Sequence, residues 1–257
     1  MRSDIRQPDT AKRLDFPHLT LVPGFIEPHV HGAGGFDVMH ATWETMTVIS
    51  RKLASHGTTS FLPTTVSAPS DVLTETVERI SGLIGMEFEG ATPLGIHLEG
   101  PFINMDKRGT HRQASLHKPD AALLSKWIQR TKGRVKLITL APELQGAMEV
   151  AGLAERSRVV VGMGHSDASF VQATEAADSG IRYAVHTFNA MRQLSILKNR
   201  VTLAPDAAAV QFVEAKATML TAGAAKGCAL MRRIKRENLG AGWREQFNEG
   251  LQTCEGN

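Results

Sequence analysis

Cysteine is nearly absent from this chain of 257 residues: Cys228 and Cys254 are the only two, both late in the sequence. That excludes a disulfide framework and a cysteine-built zinc motif, and it fits a reducing compartment such as the cytoplasm. Long apolar runs are missing too. No segment approaches the roughly 20 apolar residues of a membrane span, and the opening MRSDIRQPDTAKRLDF is polar, without the apolar stretch of a secretory signal. Excess charge is also lacking. Lys and Arg number 29 against 26 Asp and Glu, and a net charge of +3 is too small to imply a nucleic-acid partner. What remains is 42% hydrophobic and 21% charged, a globular balance with enough chain for one large α/β domain.

From Thr20 onward, short apolar or β-branched runs alternate with helical patterns, the signature of β-α units feeding a parallel sheet. The expected strands are 21–31, 58–63, 93–99, 135–140, 159–165 and 182–188. Between them the spacing predicts helices over 42–55, 70–83, 119–130, 143–155 and 168–179, the third with Pro119 in its first turn and the last stopped by Gly180. Six such units point to a barrel. A closed barrel of this type has eight strands, so the seventh and eighth are expected beyond Met191. There the text changes: 205–238 is Ala-rich, reads as one or two helices and ends in the basic run from Met231 to Arg236. The echo of ITLAPELQGA in VTLAPDAAAV has no fixed period and is read as chance.

The chemistry gathers at the strand ends. His29 and His31 flank Val30, and side chains alternate along a strand, so both imidazoles share a face beside the Gly-rich turn GAGGFD. His97 and Glu99 share a face in GIHLEGPF, while VVVGMGHSD and YAVHTFNAM carry His165 and His186 at their tips. A single histidine in an apolar strand is usually a core residue, and a lone glutamate is usually salt-bridged. Four histidines and a glutamate, all at the functional end of a barrel, are harder to dismiss. One carboxylate and two histidines with an open position form the ligand set of catalytic zinc or a related divalent ion.

The segments PGFIEPHVHG, GIHLEGPFIN, KRGTHR, ITLAPE, GHSDAS and HTFNAM resemble, in order, those of the N-acetylglucosamine-6-phosphate deacetylases of the amidohydrolase superfamily. The resemblance spans residues 21–191. It implies a metal-dependent (β/α)8 barrel of the TIM type, incomplete here, with six β-α units visible and the family's accessory β-sandwich largely missing. It also implies an amide hydrolase that converts N-acetylglucosamine 6-phosphate into glucosamine 6-phosphate and acetate. Glu99, His165 and His186 would hold the main metal, zinc first and iron, cobalt or manganese as substitutes, and His29 and His31 match a pair that holds a second ion in some members. Thr110 and His111 of KRGTHR, with Asn189 and Ala190 after the sixth strand, match substrate contacts, whereas Lys107 and Arg108 read as solvated. The resemblance further implies a homodimer and an arginine soon after FNAM for the substrate phosphate; Arg192 and Arg200 are the nearest, and neither matches the usual local pattern. No lysine stands in ITLAPE, which argues against relatives whose metals are bridged by a carbamylated lysine.

The family's catalytic base, an aspartate at the end of strand eight, has no recognisable match here. Asp206 and Asp167 are the nearest candidates, and neither has the expected place. The expected organisation is therefore a β-sandwich remnant over 1–20, a partial barrel over 21–192 and a divergent, mainly helical tail over 193–257, as a fragment, a gene-model error or a frame-shifted copy would give. A metal-binding but inactive remnant and another amide hydrolase of the superfamily are the competing readings. An open six-stranded sheet would leave its first and sixth strands unpaired, so low solubility or a non-native oligomer is expected. A sharp, reversible thermal transition from a clean monomer would contradict that.

Overall fold

The computed structural model describes residues 17–187, 189–191, 195–197 and 200–202, the last two segments as backbone. Six strands, β1 (Phe25–Val30), β2 (Thr58–Thr65), β3 (Ile96–Glu99), β4 (Val135–Leu140), β5 (Val160–Met163) and β6 (Tyr183–Ala184), pair in chain order, and every pair is parallel. Helices α1 (Trp43–Ala54), α2 (Ser70–Leu83), α3 (Ala121–Arg130), α4 (Ala147–Arg156) and α5 (Phe170–Asp178) fill the connections. A flat sheet would hold β1 and β6 roughly 24 Å apart, five gaps of about 4.8 Å. Yet the rings of His29, on β1, and His186, just past β6, have centroids 5.0 Å apart. The sheet is therefore curled into an arc, the incomplete barrel that the β-α repeats predict.

The central strands are buried almost throughout, as parallel strands covered on both faces must be: all four positions of β3 and five of the six in β4. The helices bury residues at helical spacing, with Leu73, Val77 and Ile80 on α2, Leu124 and Trp127 on α3, and Val150, Ala151 and Ala154 on α4. Their starts are written locally. Thr42 and Thr45 form a capping box for α1, Ser169 and Gln172 another for α5, and the Asp120 side chain accepts from the Leu123 amide at the start of α3. Gly180, with φ +104°, follows α5 as expected of a residue that ends a helix.

The boundaries move where the ladder or a side chain overrides the pattern. β1 starts at Phe25 rather than residue 21, because ladder pairing begins at Phe25 opposite Thr58; Leu21 is 98% exposed. The third strand is split. Thr92–Pro93 pairs with β2, and β3 proper begins at Ile96, after Pro93 and Gly95 interrupt it. Pro119 lies before α3 rather than in its first turn, since Asp120 takes the cap. α4 begins at Ala147 rather than 143, because Glu143 spends its carboxylate on neighbouring loops. The strand expected over 182–188 shortens to Tyr183–Ala184, and Phe188 lies outside the described residues. Beyond Met191, Ser195–Leu197 and Arg200–Thr202 pair as antiparallel strands, and the helical reading of 205–238 lies outside the described residues. No described helix is long and apolar enough to cross a membrane.

Trp127 joins the helical layer to the barrel. It is fully buried, donates from Nε1 to Thr74 Oγ1 at 2.9 Å and stacks on Phe102 at a centroid distance of 6.1 Å. Trp127→Ala should lower the unfolding free energy by about 3–5 kcal/mol through the cavity it leaves. Urea denaturation would check this, and a loss under about 1 kcal/mol would show that the site collapses around the gap.

Candidate metal centre

The carboxylate of Glu99 sits at the end of β3 with its side chain 2% exposed, and five imidazoles converge on it. Oε1 lies 2.8 Å from His186 Nε2, 3.2 Å from His165 Nε2 and 3.5 Å from His29 Nε2. Oε2 lies 3.0 Å from His31 Nε2 and 3.3 Å from His111 Nε2. Two donor groups could each hold an ion: His29, Glu99 and His186, and Glu99, His111 and His165, with donor atoms within 4.8 Å of one another in each. Glu99, His165 and His186 therefore meet on one carboxylate oxygen, and His29 and His31 stand side by side with their Nε2 atoms 3.0 Å apart. His111, matched in sequence only to a substrate contact, lies inside the cluster with its side chain 2% exposed.

Backbone carbonyls assign the proton positions. His165 Nδ1 lies 2.8 Å from Lys107 O and His31 Nδ1 lies 3.1 Å from Thr64 O, so each neutral ring carries its hydrogen on Nδ1. Their Nε2 lone pairs then face Glu99, itself only an acceptor. Acceptors facing acceptors need a cation between them, a proton or a metal, and that is the physical fit of this pocket to a divalent ion. His111 is the opposite case. Its Nδ1 accepts from Ser67 N at 3.1 Å and lies 2.8 Å from Ser67 Oγ, so Nε2 carries the hydrogen and can donate toward Glu99 or a ligand.

His97 braces the ring from below. Buried and facing inward with Glu99, its Nδ1 donates to Pro28 O at 3.0 Å, and its Nε2 accepts from Thr139 Oγ1 at 2.7 Å. It thereby ties the end of β1 to β4. Gly100 leaves room for this packing: its φ is +74°, and a Cβ there would come within 2.2 Å of Ser67 Oγ, the hydroxyl that holds His111. His165, His186 and Ala190 adopt φ of +50°, +54° and +50°, a left-handed conformation that costs a non-glycine residue on the order of 1–3 kcal/mol and persists where the surroundings impose it.

Of the remaining sequence candidates, those on the loops after the third and sixth strands are described. Thr110 is exposed beside His111, and Asn189 and Ala190 form the turn after His186, where Asn189 N donates to His186 O at 2.6 Å. Lys107 is not simply solvated: its Nζ lies 3.3 Å from Asp167 Oδ1, so Asp167 faces a cation on the neighbouring loop. Arg108 donates to Met105 O at 3.1 Å. Arg192 and Asp206 lie outside the described residues, and Arg200 falls in the second short antiparallel strand.

The electrostatics follow from this crowding. Burial would raise the Glu99 carboxyl, but hydrogen bonds from His111, His165 and His31 and the charge of His29 hold it far below the usual carboxylate range. Burial pushes His29 down to about 4, against Glu99 and with help from the neighbouring imidazoles. Burial, then His29, pushes His97 down to about 3. His31 and His165 move up: burial opposes the rise, but hydrogen bonding to Glu99, its charge and the carbonyls of Thr64 and Lys107 together outweigh it.

The sequence profile of the amidohydrolase family matches residues 20–242. The N-acetylglucosamine-6-phosphate deacetylase of Bacillus subtilis (strain 168) is 34% identical over 179 residues, 66% of this chain and 44% of that protein. The Homo sapiens deacetylase is 38% identical over 186 residues, 70% of this chain and 45% of that protein. The chain thus spans less than half the length of these curated relatives. The crystal structure of N-acetyl-D-glucosamine-6-phosphate deacetylase from Mycobacterium smegmatis superposes with a TM-score of 0.66 at 27% identity, covering 85% of this chain and 57% of that one. A mutant of the same enzyme in complex with N-acetyl-D-glucosamine-6-phosphate gives 0.65.

The shifted imidazoles give the metal-stripped protein a stability optimum. An unfolded imidazole titrates near pH 6.5, so as pH falls from there toward about 4 the unfolded chain protonates residues 29 and 97 while the fold keeps them neutral, and stability falls. Above pH 6.5 the fold retains protons on His31 and His165 that the unfolded chain has lost, and stability falls again as pH rises through their raised values. Urea midpoints in chelator from about pH 4.5 to about pH 9 should therefore peak near 6.5. A midpoint that climbs steadily toward acid would contradict the assignment.

Proposed function

Because the chain belongs to the amidohydrolase family, we propose that it hydrolyses the acetamide of N-acetylglucosamine 6-phosphate, releasing glucosamine 6-phosphate and acetate, with a divalent ion held by Glu99, His165 and His186. The observation that carries this reading is the convergence of imidazole nitrogens on one buried carboxylate at the C-terminal mouth of the sheet. Deacetylases among the chain's relatives and structural neighbours point to the same substrate. Zinc suits a donor set of imidazoles and carboxylate best, with iron, cobalt or manganese as substitutes, and His29 and His31 provide for a second ion. Cytoplasmic amino-sugar catabolism and a homodimer complete the reading.

An amide carbon is a poor electrophile and water a poor nucleophile at neutral pH; a bound divalent ion supplies a more acidic water and a polarised carbonyl. The chain's own residues do the rest. The carbonyls of Lys107 and Thr64 keep the Nε2 lone pairs of His165 and His31 aimed inward. His111, with its hydrogen on Nε2, can donate to the oxygen that gains charge as the carbonyl is attacked. Thr110, Asn189 and Ala190 border the mouth and would orient the sugar. Proton transfer to the departing amine needs a general base, worth about 10² to 10⁴-fold in rate; the family's base has no recognisable match in this sequence, and Asp206 is only one of the two nearest aspartates.

One observation favours a second reading. The family's base is an aspartate with no recognisable match in this sequence, so a chain that binds metal without turnover fits the same centre. Metal analysis of the purified protein beside an acetate-release assay separates the two. The deacetylase reading expects acetate that a chelator abolishes and Glu99→Gln reduces by at least about 100-fold together with metal content. Stoichiometric metal with no acetate would establish the inactive form, and a metal-replete enzyme active on another amide alone would exclude this substrate.

A further inference from the structure

We infer that Glu143 is a positioning residue whose carboxylate fixes the turn presenting His165 to Glu99. It follows β4 and reaches both neighbouring strand ends. Its Oε1 accepts from Asn104 Nδ2 at 2.9 Å, on the loop after β3, and from the Asp167 amide at 2.6 Å, on the loop after β5. Its Oε2 accepts from Ser166 Oγ at 2.7 Å. Three donors on one carboxylate make charge-assisted bonds, stronger than neutral ones. Two of the three, Ser166 and Asp167, belong to the turn at 165–167, where His165 holds φ +50°.

Asn104 closes the circuit. Its own amide donates to His165 O at 2.9 Å, and its Oδ1 accepts from Asp106 N at 2.8 Å at the start of the short 3-10 turn Met105–Lys107. Lys107 O at the end of that turn lies 2.8 Å from His165 Nδ1. Glu143 thus holds the backbone on one side of His165 directly and, through Asn104, the carbonyl that orients the ring. On its far side the turn is tied by Ser166 N donating to Ala190 O at 3.1 Å, a bond that Glu143 does not make.

The consequence for metal affinity rests on the metal reading above, so the test has two readouts on the full chain. Cobalt(II) titration of wild type, Glu143→Ala and Glu143→Gln should show about 10- to 100-fold weaker binding for the alanine variant, the usual effect of removing an outer support of a ligand. The glutamine variant should recover most of it: its amide oxygen can accept from Asn104 and Asp167, and its NH2 can donate to Ser166 Oγ. The metal-induced rise in thermal midpoint should shrink in step. A merely structural role would lower the metal-free and metal-loaded midpoints together and leave that rise unchanged. The second readout is amide exchange at Ser166 and Asp167 in metal-free protein, expected faster in Glu143→Ala. If wild type takes up no cobalt, the metal reading fails while exchange still judges Glu143. Wild-type exchange rates in Glu143→Ala would overturn the inference, as would wild-type cobalt affinity. Should that variant not fold, Ser166→Ala, which removes one of the three bonds, should give an intermediate loss, and no loss would count against it.

Discussion

A buried carboxylate ringed by five imidazole nitrogens is the constraint from which the rest of this site follows. Glu99 is held in a cleft where burial alone would neutralise it, and it stays ionised because its surroundings are built to share positive charge with it. When neutral, His31 and His165 turn their Nε2 lone pairs inward because backbone carbonyls take the Nδ1 hydrogens; in the metal-free cluster a proton on either ring supplies its hydrogen bond to Glu99. Such a cluster is costly without a cation, which is why its donor set suits a divalent ion.

The scaffold serves this arrangement through curvature. Strands that are distant in sheet order deliver their terminal residues to one point only because the sheet bends through an arc. His97, spanning Pro28 O and Thr139 Oγ1, braces that arc from inside, and Gly100 leaves space for the Ser67–His111 contact. The left-handed backbone at His165 and His186 is a local expense at the place where the side chains must turn inward. Loop contacts such as those of Glu143 tie that backbone to the neighbouring strand ends.

Much of the fold was legible because parallel β-α units repeat two unlike periodicities. β4 (Val135–Leu140) and α2 (Ser70–Leu83) fall where the pattern puts them. The errors share a cause. The strand expected from residue 21 lost its first four residues because no ladder partner lies beside them, and α4 started late because Glu143 bonds loops rather than opening the helix. Neither fact is local. In the site, strand alternation was enough to put His29 with His31 and His97 with Glu99, whereas the inward seat of His111 depends on Ser67, 44 residues away. The salt bridge of Lys107 to Asp167 is not legible in the sequence for the same reason: a charged loop residue reads as solvated until its partner is brought near.

By itself the amino-acid sequence determined the donor types, their places at the strand tips and the order of the units that carry them, because strand alternation and helical spacing act over a few residues. Only the tertiary structure decided that the donors converge, which nitrogen of each ring faces inward, and that a glutamate on one loop steadies a histidine on the next. Those outcomes depend on the curl of the sheet and on hydrogen bonds between segments far apart in the chain.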